Sequence, residues 1–188
     1  MMSPTSVSEI TIVPIGKVDQ DLLEYLALIL PASFAAPVRL LPKNLDPSDA
    51  WNSARRQYHS TQLLRKLHDM ARSGEERVFG VTEVDLFIPI FTFVFGEAQV
   101  GGRAALMSAH RLRQEFYGLP ADRNLLFARA EKEATHELGH AYGLTHCPSY
   151  DCVMRFSNSV EGVDVKANEF CRLCGDKLQR PCDSSLAA

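Results

Sequence analysis

His136-Glu137-Leu138-Gly139-His140-Ala141-Tyr142-Gly143-Leu144-Thr145-His146 decides how this chain is read. On an α-helix His136 and His140 stand one turn apart and about 40° apart around the axis, so both imidazoles reach one metal ion. Gly143 tolerates a left-handed backbone, which ends the helix and swings His146 back as a third nitrogen donor. Three protein ligands leave the fourth position of a zinc ion open, as a catalytic site requires. Glu137 is directed wrongly to join the same chelate. It can instead hydrogen-bond a water in the open position, take its proton during attack and hand it to a leaving amine. The segment therefore predicts one catalytic zinc, with Glu137 as general base.

All five cysteines follow residue 146: Cys147, Cys152, Cys171, Cys174 and Cys182. A disulfide framework goes with short secreted chains. An odd number crowded into the last quarter reads instead as a metal site with one thiol to spare. Cys147-x4-Cys152 and Cys171-x2-Cys174 offer four thiolates, enough to close a tetrahedral structural zinc site. Residues 147–174 carry few apolar side chains, and zinc ligation would supply the missing folding energy. Cys182 reads as a free thiol, the alternative being a fourth ligand in place of one of those cysteines.

Upstream the signals alternate. Glu9–Ile15 reads as a strand, and Asp19–Leu30 as a helix capped by Asp19 and ended by Pro31. Val38–Leu41, Glu76–Thr82, Phe87–Phe95 and Arg103–Ser108 read as further strands, with Asn44–Ala54 a loop and Gly96 and Gly101-Gly102 as turns. Ser60–Arg72, His110–Phe116 and Asn124–Tyr142 read as helical. Phe91, Phe93 and Phe95 are expected in the core, and Arg129 and Glu133 as an exposed ion pair. His59, His68 and His110 are read as structural, and Trp51 is left undecided. The alternation predicts an α/β fold, a mixed sheet with helices on its faces.

Composition narrows the classes. With 188 residues, 46% hydrophobic and 23% charged, the chain can bury one sizeable core. A net charge of −3 argues against a nucleic-acid or anionic-membrane partner. No apolar run approaches the roughly 18 residues of a membrane span. Met1–Ser6 has no basic or apolar signal region, so a cytoplasmic setting is expected; a monomer is favoured.

HELGHAYGLTH resembles the extended zinc signature of the metzincin metalloproteases. The combination with Cys147, Cys152, Cys171 and Cys174, and with Met154 eight positions after His146, is similar to that of the archaemetzincins. Gln57–Thr61, Gly80–Leu86, Phe93–Ala98 and Arg155–Ser159 also look like segments of that family. The resemblance implies a metzincin-like twisted mixed sheet, a backing helix and an active-site helix ending at Gly143. It implies a Met-turn in which Met154 supports the zinc site without ligating it, and a small zinc-stabilised C-terminal subdomain. The division would be 1–143 and 144–188. It implies two zinc ions and a peptide substrate lying along an edge strand, expected within Gln99–Ser108. Hydrolysis of short peptides follows, with aminopeptidase action open. The rival readings are a zinc-binding peptide-recognition module with little hydrolysis, and a zinc amidase.

Overall fold

A computed structural model describes residues 9–179. Met1–Ser6 and Cys182 lie outside the described residues. Strand β1 (Ile10–Ile15) is apolar except for Thr11 and buried throughout, which suits a strand covered by helices on both faces. It pairs in parallel with β2 (Val38–Leu40) and β5 (Arg77–Thr82). β5 pairs in parallel with β8 (Ala104–Ser108), and β7 (Gly96–Ala98) closes the sheet antiparallel to β8, in the order β2-β1-β5-β8-β7.

The period of two along each strand divides the core. Ile10, Ile12, Phe79, Val81, Ala105 and Met107 face helices α1 (Gln20–Phe34) and α3 (Arg123–Ala141). Val13, Ile15, Val78, Ala104 and Leu106 face α2 (Ser60–Met70), whose Leu63, Leu64 and Leu67 are buried. The expected mixed sheet with helices on its faces is what forms.

Several element boundaries differ from expectation. Helix α1 runs through Pro31 to Phe34 and ends at Ala35 in the left-handed region. Burial of Leu30 and Phe34 outweighs the one backbone donor that Pro31 lacks. The stretch expected as a loop over Asn44–Ala54 contains β3 (Trp51–Asn52), which joins β4 (Gln57–His59) and β6 (Leu86–Phe87) in a second, three-stranded sheet. His110–Phe116 forms short 3-10 turns, not an α-helix.

The largest departure is at Phe87–Phe95. Only Leu86–Phe87 pairs, and the chain loops outward before a single bridge returns Val94 to Leu86. Pro89 cannot donate to a ladder. Arg55 Nη2 donates to the carbonyls of Phe91 and Thr92, and Gln57 Nε2 donates to that of Thr92, so side chains take acceptors a strand would use. Gly96, expected as a turn, opens β7. The sheet edge is therefore Gly96–Ala98; β8, within the stretch expected to hold the edge, lies inside the sheet.

After α3 the chain forms a separate small cluster of Leu144, Cys152, Val153, Met154 and Cys174. Two short helices, α4 (Val160–Val165) and α5 (Arg172–Leu178), occupy what reads in sequence as a loop-rich tail.

Candidate active site and metal centres

Helix α3 begins at Asp122, whose carboxylate caps Leu125 N–H. It ends where the motif predicts: the Gly143 N–H bonds to the His140 carbonyl, and Gly143 takes φ +93°. The resulting turn brings His146 to His136 and His140. Ring centroids lie 5.3 Å apart for His136 and His146, and 4.8 Å for His140 and His146.

Two backbone carbonyls orient the first two rings. His136 Nδ1 donates to Val153 O and His140 Nδ1 donates to Leu144 O, each at 2.8 Å. In the neutral tautomers this leaves a lone pair on each Nε2. Those two nitrogens stand 3.1 Å apart. Two acceptors face each other with no proton between them, an arrangement that a cation relieves. The spacing also fits the edge of a zinc tetrahedron, about 3.3 Å for zinc–nitrogen bonds near 2.05 Å. Burial holds the His136 imidazole well below its ordinary pKa, and Lys166 and His140 add to that effect. The ring therefore stays neutral and able to ligate.

Glu137 is buried on the same helix. Desolvation, then the neighbouring carboxylates of Glu133 and Glu97, raise its pKa well above the ordinary carboxylate range, while Lys166 opposes them. Met154 lies under the helix in contact range of Gly139, where an added Cβ would stand 2.5 Å from its sulfur. The Cys147 N–H bond to the Met154 carbonyl, 2.9 Å, joins this turn to the first cysteine.

The four cysteines Cys147, Cys152, Cys171 and Cys174 converge, their sulfurs all within 4.8 Å of one another. Cys147 Sγ and Cys171 Sγ are 3.8 Å apart. The edge of a tetrahedron with zinc–sulfur bonds of 2.3 Å is also about 3.8 Å. The Cys174 backbone N–H lowers the Cys171 thiol, while burial raises Cys152 and Cys174. Both donor sets thus match zinc in chemistry and spacing.

A cavity of about 650 Å³ opens over the histidines. Ile88, Phe91, Val100 and Phe156 form apolar walls, and Glu97, Glu133, Glu137 and Lys166 adjoin its inner part. Several side chains lie elsewhere than their spacing in sequence suggests. Phe95 is buried, but Phe91 is exposed and faces the cavity with Phe93. Arg129 and Glu133 are not an exposed pair. Both are buried: Arg129 makes a two-pronged bond to Asp164, and Glu133 accepts from the fully buried Lys166 at 2.7 Å. Glu133 was detectable, since it stands one turn before Glu137 on the same helix face. Lys166 and Glu97 carried no sequence signal. Glu97 Oε1 accepts from Thr61 Oγ1 at 2.8 Å, whereas its buried Oε2 has no hydrogen-bond partner. Of the histidines read as structural, His59 lies against Phe87, His68 meets Gln99 and Arg103, and His110 meets Phe116 edge to face. Trp51 is half exposed against Tyr58.

A mixed α/β fold with two histidines and a buried carboxylate on its longest helix, and a third histidine in the turn that follows, defines the class, a zinc metallopeptidase. The comparisons make this specific. Residues 10–180 match peptidase family M54. The archaemetzincin of Methanocaldococcus jannaschii is 44% identical over 92% of this chain and 94% of its own. The solved archaemetzincin of Archaeoglobus fulgidus, complexed with malonate, is 44% identical with TM-score 0.78, covering 90% of this chain and 99% of that one. A zinc-dependent peptidase from Methanocorpusculum labreanum is 30% identical with TM-score 0.82 at the same coverage. The chain belongs to peptidase family M54, the archaemetzincins.

Proposed function

We propose that this peptidase hydrolyses short peptides, with His136, His140 and His146 holding the catalytic zinc and Glu137 as general base. The carrying observation is the pair of Nε2 nitrogens 3.1 Å apart, beside a buried carboxylate and under an apolar cavity. Bound zinc supplies Lewis-acid polarisation of the peptide carbonyl and lowers the pKa of water. Val153 O and Leu144 O fix the imidazole tautomers. Glu137 accepts a proton from water and delivers it to the departing amine. The apolar walls exclude bulk water and seat the substrate side chains.

Cys147, Cys152, Cys171 and Cys174 would hold a second, structural zinc, making two ions per chain, with 144–188 as a subdomain organised by it and Met154 as support beneath the histidines. A zinc site built of four thiolates favours a reducing, cytoplasmic setting, and we read the protein as a monomer. Aminopeptidase action is the second reading. It is favoured by the unpartnered Glu97 Oε2 on the edge strand, an acceptor suited to a substrate's free α-amino group. The test is cleavage of a mixed peptide library by zinc-loaded wild type beside Glu137→Ala. Cuts by wild type alone support the peptidase reading, and loss of cutting on N-acetylation supports the aminopeptidase one. No cleavage by protein holding zinc would favour a recognition module or an amidase.

A further inference from the structure

Gly96 opens the edge strand and pairs with Met107 of β8. Its missing side chain leaves a space that Glu137 occupies. A Cβ built there would stand 2.6 Å from Glu137 Cγ and 2.7 Å from its Oε1, and 2.6 Å from the Leu106 carbonyl oxygen. Non-bonded carbons settle near 3.5–4.0 Å. The Leu106 carbonyl belongs to an internal strand, held by the pairings Glu97–Leu106 and Ala98–Ala105 and by β5 on its far side. That strand cannot yield readily. Of the two neighbours, the one free to move is the Glu137 side chain, which would have to turn away from the edge strand.

We propose that Gly96 is a positioning residue for the reaction: its bare backbone is the wall that lets the Glu137 carboxylate lie between the edge strand and the histidines. The assignment rests on the reading of Glu137 as general base. One strand then sets the place of the base through residue 96 and presents Glu97 to the cavity through the next residue.

The experiment is a cycle of wild type, Gly96→Ala, Glu137→Ala and the double variant, each assayed for zinc content, melting temperature and, with a cleaved library peptide, kcat and KM. Gly96→Ala should keep its zinc and lose about 100-fold in kcat, the loss that a displacement of about 1 Å brings. Its KM should stay within about threefold of wild type. The fall in melting temperature caused by Gly96→Ala should be smaller in the Glu137→Ala background, because the conflict with the Glu137 side chain is gone while that with the Leu106 carbonyl remains in both. Unchanged kcat overturns the proposal, as does an equal melting cost in both backgrounds, which would make the glycine a strand requirement only. If Gly96→Ala does not fold, a folded double variant supports the proposal and an unfolded one overturns it. Should wild type itself cleave nothing, the peptidase mechanism fails, while the melting cycle still decides the contact because it needs no activity.

Discussion

Lys166 is the residue whose environment departs furthest from what its chemistry prefers. Its side chain is 0% exposed and its ammonium bonds Glu133, itself nearly buried, at 2.7 Å. Such pairs are costly to break singly, because the survivor is left charged and desolvated. Lys166→Met should cost about 3–5 kcal/mol in denaturant unfolding. Lys166→Met combined with Glu133→Leu should be near neutral. Equal losses in both variants would show that the pair adds stability of its own. At the same scale, His146→Ala should lower bound zinc to the cysteine-held ion while the melting transition stays cooperative; loss of both ions would show that the sites depend on each other.

At the level of elements, the sheet end near β1 and β5 is held by Glu76. Its Oε1 accepts from Thr11 Oγ1 and Arg39, and Arg72 binds both its oxygens. Burial pushes this carboxyl upward, but hydrogen bonds from the Arg72 side chain and backbone and from Thr11 outweigh it, bringing the pKa down to about 2. The folded value lies below the unfolded one, so the stabilisation is complete above the unfolded pKa, near 4.5, and is lost as pH falls toward about 2. Chemical denaturation at stepped pH should show wild type losing stability across that window. Glu76→Gln should show a shallower slope there; an identical slope would remove Glu76 from the account. The loop after β6 shows the same logic in backbone terms, since Arg55 and Gln57 occupy carbonyls that a longer strand would have paired.

For the whole molecule, the small cluster around Met154 links the two donor sets, since Val153 O orients His136 and Met154 O accepts from Cys147. Cys147→Ser should therefore lower the melting temperature and also loosen the histidine site, seen as a weaker catalytic zinc. An unchanged melting temperature would contradict a structural role for the cysteine-held ion. The cavity carries three carboxylates and one lysine already bound to Glu133. A substrate side chain entering its inner end as a carboxylate would lose water and meet no free side-chain cation among the described lining residues. Library cuts should accordingly be depleted of Asp and Glu beside the scissile bond, and frequent cleavage at acidic residues would refute this.

The zinc motif was legible in sequence because its geometry is local: helical spacing places His136 and His140, and one glycine turn returns His146. The cysteine pairs were legible for a related reason, since few ions other than zinc suit four thiolates at such spacing. Short apolar runs likewise marked β1, β5 and β8. Tertiary structure alone decided the rest. The edge strand depended on which carbonyls Arg55 and Gln57 would capture, the partner of Glu133 lay 33 residues away, and the space at Gly96 has meaning only against Glu137 of another element. Short-range periodicity encodes elements and ligand spacing, whereas burial, charge pairing and close approach arise from residues far apart in the chain.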